Sequence, residues 1–388
     1  MNVLWLASWY PNRTDSFNGD FIMRHAKAVA PFVNRLTVIA AVKDENLKAG
    51  SSQIDCSVEG NITTYIIYYG RSRWGQPVEK IFSIKKYLSL QRQLFKKILE
   101  EKGKPDIVHV HVAMKAGLFA NELKKKYNIP YIVTEQWTGY FETARPNIFT
   151  MGFLFNRFTK SVLNNASLLL PVSSYLGKII NSDITTVKYV TVPNVVDTSI
   201  FFPVNHVENE TMQLVHVSVM GYQKNAESMF EALSIFKQKG GKFLMQIFGP
   251  PPVHLIEMVK QKGLDNEIIF KGEVTQAELA PAIQAADALV LYSRYETFGC
   301  VLIEANACGV PVIVSRFPVF DEFITEGVNG VFADGDNPVA LAATLENFYS
   351  KRKNFNRERI AAEAKEKFCY DTVGKMIKDI YEKYAVKP

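Results

Sequence analysis

The sequence contains no uninterrupted run of 18 apolar residues, so no membrane-spanning helix is expected. Cysteine is scarce. Four residues, at positions 56, 300, 308 and 369, show neither metal-ligand spacing nor a dense disulfide pattern, and are expected to be reduced packing residues. The loop after the first predicted strand lacks G-x-G-x-x-G, which disfavours a dinucleotide oxidoreductase, because backbone could not approach a pyrophosphate closely there. No recognised nucleic-acid-binding motif or base-stacking aromatic cluster is evident, so nucleic acid is not expected as a partner. The apolar run at the N-terminus is too short for a signal peptide and carries no basic leader, and a cytoplasmic protein is expected.

The chain does have an ordinary globular composition, 47% hydrophobic and 22% charged, over 388 residues. That length predicts two domains of about 150 to 200 residues each. The net charge of +6 is unevenly spread, with residues 71–126 holding 14 Lys and Arg against 5 Asp and Glu. Inside that stretch, residues 80–101 have the spacing of an amphipathic helix. Ile81, Ile84, Leu88, Phe95 and Leu99 form its apolar stripe, and Lys85, Lys86, Arg92, Lys96 and Lys97 much of its polar surface. Such a stripe usually faces the domain core. The same pattern also suits peripheral contact with an anionic membrane, at the inner face of the cell membrane.

The chemistry concentrates in residues 295–315. Residues 288–292 predict a buried strand, and a polar turn then leads to a short helix over 300–307. Gly309 stands where a cap would, Pro311 prevents continuation, and residues 310–315 predict the next strand. In this parallel βαβ step the helix is apolar nearly all round except for Glu304. A buried carboxylate is costly unless paired. Glu296 precedes the helix. A helix N-terminus favours an anion such as a pyrophosphate, and carboxylates nearby accept from hydroxyls, which together describe a nucleotide sugar. The plainer alternative is that Glu296 complements the helix dipole while Glu304 meets a core Arg or Lys. On these residues alone both readings stand.

Elsewhere the pattern predicts strands over 2–8, 36–42, 106–112, 131–140 (running into a loop), 168–172, 189–192, 214–219, 243–248 and 268–270, and a helix over 20–29. This is the alternation of doubly wound sheets. His109 and His111 share one sheet face, but no third ligand is evident, so a metal is not expected. Asp334, Gly335 and Asp336 read as an ordinary turn rather than a metal-binding triplet. A last helix over 372–384 is expected to brace the first domain.

The string E-T-F-G-x-V-x-x-E-A-x-A-x-G-x-P-V beginning at Glu296 resembles the donor-site motif of the GT-B retaining glycosyltransferases of family 4. The stretch P-N-x-V-D-x-x-x-F-x-P beginning at Pro193 resembles the same family, and the likeness spans nearly the whole chain. It implies an α/β fold of two Rossmann-like doubly wound domains facing a central cleft. Residues 1–200 would bind the acceptor, 201–370 the nucleotide sugar, and 371–388 would cross back to the first domain. Glu296 would contact the donor sugar and Glu304 hold the ribose diol. Backbone of Phe298, Gly299 and Cys300 would lie against sugar and diphosphate, Gly249 and Val274 against the base, and Gly19 near the phosphates. Gly19 serves equally as a flexible helix entry. Lys224 matches a phosphate-binding lysine, and the implied catalytic set is Lys224, Glu296 and Arg294.

Two positions depart from the pattern. Val219 stands where the family has an arginine, for which Arg294 is the candidate substitute. Gln136 stands where a histidine is frequent, and Glu135, Gln136 and Trp137 are expected near acceptor or sugar. The implied reaction is a retaining, metal-independent hexosyl transfer without a cofactor, from a UDP-sugar or GDP-sugar to a glycan or lipid-linked acceptor, in surface polysaccharide or glycolipid synthesis. A GT-B epimerase, a phosphorylase and a catalytically weak sugar-nucleotide-binding protein are the rival expectations, the last motivated by Gln136 and Val219.

Overall fold

In a computed structural model, residues 1–70, 78–207 and 209–386 are described, with side chains omitted for 78–83. Part of the basic stretch, residues 71–77, and the side chain of Ile81 therefore lie outside the described residues. The chain forms two compact units: Met1–Asn194 together with Tyr370–Pro388, and Val195–Cys369. The boundary expected after residue 200 falls six positions earlier, because Val195, Val196 and Phe201 are buried and Val196 bridges to Cys369 within the second unit.

In chain order the first unit runs β1 (Asn2–Ala7), α1 (Asp20–Val29), β2 (Arg35–Lys43), β3 (Ser52–Glu59), β4 (Ile62–Tyr69), α2 (Val78–Lys102), β5 (Ile107–His111), α3 (Ala116–Tyr127), β6 (Tyr131–Glu135), α4 (Phe153–Asn165), β7 (Leu168–Pro171) and α5 (Ser174–Ile179). The second contains β8 (Met212–Val217), α6 (Ala226–Gln238), β9 (Phe243–Phe248), α7 (Val253–Gln261), β10 (Ile268–Gly272), α8 (Gln276–Ala285), β11 (Ala288–Leu291), α9 (Cys300–Ala307), β12 (Val312–Ser315), β13 (Gly330–Ala333), α10 (Pro338–Lys351) and α11 (Arg357–Phe368). The chain then returns to the first unit as α12 (Tyr370–Tyr384).

The first sheet has the order β3-β4-β2-β1-β5-β6-β7, and only β3 against β4 is antiparallel. The second, β10-β9-β8-β11-β12-β13, is parallel throughout. Parallel strands are covered on both faces, so their sequences are runs rather than alternations. In β1, five of six residues are buried, and β5 is buried throughout, histidines included. The hairpin β3–β4 has no counterpart in the sequence reading. Its edge strand, SQIDCSVE, is mostly exposed and carries charge, as edges do.

Residues 189–192, expected as a strand, form only an isolated bridge from Tyr189 to Leu169. The segment does run along β7, with Val190 N–H donating to Leu169 and Val192 N–H to Pro171, both at 3.1 Å. In α2 the buried residues are Tyr87, Gln91, Leu94, Phe95 and Ile98, while Ile84, Leu88 and Leu99 are only half-buried. The buried stripe is rotated from the expected one because Tyr87 meets Tyr69, and Phe95 meets Phe119 and Tyr127, edge to face. Lys85, Arg92, Lys96 and Lys97 are exposed.

Candidate active site

Within the second unit, the segments following β8, β11 and β13 are tied together, and each tie is traceable to a side chain. Behind them lies His216, fully buried in β8. Its Nδ1–H donates to the Val290 carbonyl at 2.8 Å, which leaves Nε2 to accept from Ser218 Oγ at 2.7 Å; Ser218 Oγ in turn accepts from Met220 N–H at 2.9 Å. Burial first, and the nearby Lys224 charge in addition, push this imidazole down to about 4, so it is neutral at pH 7; the Val290 bond opposes the shift.

The loop so anchored turns through residues 222–224 to Asn225, which is buried and left-handed with φ 52° and ψ 43°, and α6 begins at Ala226. Lys224 Nζ donates to Glu296 Oε1, the same oxygen that accepts from Ser293 Oγ at 2.9 Å. Glu296 is buried. The two candidate residues that the sequence sets 72 positions apart are thus one ion pair. Further ties run from Arg294 N–H to the Gln223 carbonyl at 2.8 Å and from Gln223 Nε2 to the Tyr295 carbonyl at 3.1 Å.

Arg294, like Lys224, is paired. Its Nε donates to Asp336 Oδ2 at 3.2 Å, one Nη donates to the Tyr222 carbonyl at 2.6 Å, and its plane lies 4.5 Å from the Tyr222 ring centre. A guanidinium used on three sides is a bracket for the loop. Val219, at the expected arginine position, is 66% exposed. The Asp334–Asp336 triplet is likewise more than a solvated turn. Asp336 Oδ1 accepts from Asn225 Nδ2 at 2.6 Å and from Ser228 Oγ at 3.2 Å, while Asp334 pairs with Arg316 at 2.6 Å. Tyr292 fixes this turn from below, since its hydroxyl donates to the Gly335 carbonyl and accepts from Asn337 N–H at 2.9 Å.

Helix α9 follows Gly299, whose φ of 87° is left-handed, and no side chain caps it. Phe298 is buried, its ring stacked on Phe323 with centres 4.9 Å apart. Cys300 is half-buried, and Glu304, one turn on, is buried. Gly249 N–H donates to the Gly272 carbonyl at 2.8 Å, joining the turns after β9 and β10, and Val274 is half-buried just beyond.

In the first unit, Glu135 at the end of β6 is fully buried and is not a lining residue. It accepts from the backbone N–H groups of Ala113 (3.0 Å), Gln136 (2.9 Å) and Trp137 (3.0 Å) and from Tyr140 Oη (2.9 Å). Burial raises its carboxyl and these four bonds pull it back. Its function is to shape the turn that carries Gln136, which is buried, and Trp137, which is half-buried. Gly19 heads α1 with φ 71°, and a Cβ there would lie 2.7 Å from the Trp9 backbone. That close approach is sufficient reason for glycine.

His109 is bonded at both nitrogens, to Tyr381 Oη and Thr134 Oγ1 at 2.7 Å each, and His111 packs 3.9 Å from Trp5, ring centre to ring centre. Among the described residues no group of three or more His, Cys, Asp or Glu is placed to hold a metal ion. No described helix is long and apolar enough to cross a membrane. Residues missed by sequence reasoning are His216, Ser293 and Asn225, while Asp336 was read only as part of an ordinary turn. A histidine inside an apolar strand, and an asparagine directly after Lys224, were the available signals.

Two α/β units with parallel sheets, the second carrying a lysine–glutamate pair beside an uncapped helix, define the GT-B class of architecture. Comparison with solved structures agrees. Sucrose-phosphate synthase of Thermosynechococcus elongatus superposes with a TM-score of 0.81 at 16% identity, covering 99% of each chain. Anabaena HepE, solved with UDP and glucose, gives 0.71 at 14% identity over 99% of this chain and 100% of its own. The family description "Glycosyltransferase Family 4" matches residues 49–200, and "Glycosyl transferases group 1" matches residues 197–367. The chain belongs to the family 4 glycosyltransferases of the GT-B fold. An uncharacterized glycosyltransferase of Methanocaldococcus jannaschii is 30% identical over 181 residues, a match that covers 45% of this chain and 46% of that relative.

Proposed function

We propose that the protein transfers a sugar from a nucleoside diphosphate to an acceptor hydroxyl with retention of anomeric configuration and without a metal ion. The observation that carries this reading is the Lys224–Glu296 pair beside the N-terminus of α9, with Glu304 buried in the first turns of that helix. In this proposal Glu304 accepts from the ribose diol and Glu296 from a sugar hydroxyl, while the diphosphate takes Lys224 and the amides near Gly299. The base, uracil or guanine, rests against backbone near Gly249 and Val274.

The acceptor oxygen bonds to the anomeric carbon as the bond from that carbon to the β-phosphate oxygen breaks on the same face, and that oxygen takes the acceptor proton. Charge develops on the diphosphate, so donors placed there act mainly on the transition state. Lys224 carries that burden nearly alone, since Arg294 is engaged elsewhere and Val219 offers no charge. The first unit, through Gln136 and Trp137, is assigned to the acceptor, a glycan or lipid-linked sugar of surface polysaccharide or glycolipid synthesis.

A catalytically weak nucleotide-sugar-binding protein is the second reading, supported by the exposed Val219 and by Gln136. Incubation with a panel of UDP- and GDP-sugars, following diphosphate release with and without acceptor extracts, separates the two. Release that depends on acceptor supports the transferase; donor binding with no release under any condition supports the binding protein; release without acceptor supports an epimerase-like or hydrolytic side reaction and counts against both.

A further inference from the structure

Between Glu142 and Asp183 the chain contains no acidic residue, while it contains Arg145, Arg157, Lys160 and Lys178, all exposed. The same stretch displays apolar side chains to solvent. Phe149 is 46% exposed, Phe153 75% and Leu154 59%, three large apolar groups within six positions at the entrance to α4. Singly exposed apolar residues are ordinary; a contiguous group of this kind marks a contact surface.

The display is built rather than frayed. Asn147 is buried and its Nδ2 donates to the carbonyls of Glu142 (2.8 Å) and Ala144 (3.0 Å), while its Oδ1 accepts from Thr150 N–H at 3.0 Å. Ile148 N–H donates to the Gly139 carbonyl at 2.6 Å, and Phe155 N–H to Gly152 at 2.9 Å. Helix α4 buries Thr159, Val162 and Leu163. Phe153, Arg157 and Lys160, spaced by four and three, form a separate exposed row. Neither Arg157 nor Lys160 has an ion-pair partner among the described residues.

We infer that the α4 entrance is the surface by which this protein docks on an anionic lipid bilayer, with Phe149, Phe153 and Leu154 entering the headgroup region and Arg157 and Lys160 meeting its negative charge. An apolar tip bordered by unpaired cations, on a stretch with no acidic residue between Glu142 and Asp183, matches the interfacial pattern in both its parts. A protein partner with an apolar pocket would not require the acid-free stretch. This assignment replaces α2, whose apolar face is turned inward at Tyr87, Leu94 and Ile98, as the membrane-facing element. It also directs toward lipid the end of the first unit that carries Trp137, whose ring lies edge-on to Phe155 at 5.8 Å.

The test is flotation of the full chain with vesicles of phosphatidylcholine alone, or of phosphatidylcholine and phosphatidylglycerol in equal parts. The wild type is expected to float with the anionic vesicles only. Phe153→Ser/Leu154→Ser and Arg157→Glu/Lys160→Glu should each lower the bound fraction on the order of tenfold. Lys96→Glu/Lys97→Glu, on α2, should leave it within about twofold. Should the apolar variant fail to fold by circular dichroism, the charge variant decides. Wild type that stays unbound, binds neutral vesicles equally, or loses binding only through the α2 variant overturns the inference. Calorimetric binding of nucleotide sugar to the same proteins keeps this outcome apart from the proposed function. Donor bound without flotation sinks the docking surface alone, and flotation without donor binding sinks the transferase reading alone.

Discussion

Asp336 Oδ1 lies 2.6 Å from Asn225 Nδ2, so the residue that follows Lys224 is fixed to a turn 111 positions away in sequence. Asp336 also holds Arg294, and Arg294 holds Tyr222. The loop that presents Lys224 is therefore gripped from both sides by one carboxylate.

Replacing that carboxylate should loosen the lysine without unfolding the unit, because the Asp336 side chain is half exposed. Asp336→Ala is expected to lower kcat/KM roughly tenfold, in the range of one charge-assisted hydrogen bond. Arg294→Ala should lower it similarly, and the double variant should lose far less than the product of the two. A steady-state double-mutant cycle checks this; additive losses would show that the two act separately.

Lys224→Ala is expected to slow turnover by roughly 100- to 1000-fold, the usual scale for removing a single transition-state donor. Lys224→Arg should recover part of the loss. Initial rates of diphosphate release at saturating donor measure both, and wild-type kcat in the alanine variant would remove Lys224 from the mechanism.

Glu304→Ala should weaken nucleotide-sugar binding roughly tenfold to a hundredfold while leaving the fold intact, since a carboxylate that accepts from two hydroxyls contributes on the order of 1.5 to 3 kcal/mol. Calorimetric titration with the donor identified by the screen reads this directly. Unchanged affinity would return Glu304 to the plainer role of a paired core acid.

Glu135→Gln should destabilise the first unit by about 2 to 3 kcal/mol, because an amide NH2 would then point at backbone donors that the carboxylate now satisfies. Urea denaturation followed by tryptophan fluorescence, with Trp5 and Trp137 in that unit, is the measurement. A midpoint unchanged from wild type would mean that the four bonds contribute little.

Acid should destabilise both units. His25 and His216 are held down to about 4, chiefly by burial, and His109 and His111 well below the ordinary imidazole range for the same reason. A folded-state pKa below the unfolded value of about 6.5 means the unfolded chain binds more protons beneath that pH. Stability should thus be full above pH 6.5 and fall as pH drops toward 4, by up to about 1.4 kcal/mol per pH unit for each such group. Urea midpoints measured from pH 7.5 to pH 5 give the slope, and a flat profile across that window would contradict the buried, neutral assignment.

Much of the fold was legible because parallel strands are nearly continuous apolar runs. The βαβ step around α9 is read from strand length, Gly299, Gly309 and Pro311 alone. Edge elements were not: β3 carries Asp55, Ser57 and Glu59 and reads as loop, its pairing being decided by β4 rather than by its own pattern. The site divides in the same way. Glu296 and Glu304 stand out by type and spacing and Lys224 by the family resemblance, but no spacing rule reveals that Arg294 is captured by Asp336, since the two lie 42 positions apart on different segments. Glu135 shows the opposite failure, where a charged residue near the expected acceptor region turned out to be structural support.

The return of α12 to the first unit has a bearing on how the chain is made. Trp5 Nε1 donates to Tyr381 Oη at 2.9 Å, and Gly374 fits against Ala28 where a Cβ would come within 2.1 Å of its carbonyl oxygen. The opening strand thus receives a hydrogen-bond partner from a helix that follows the whole of the second unit in sequence. During synthesis the second unit emerges entire and has all its own residues while the first still waits for its closing helix. A released chain cut just before residue 370 would keep every residue of the second unit and lack the helix that covers the first, and recognition by chaperones should fall on the half that was begun first.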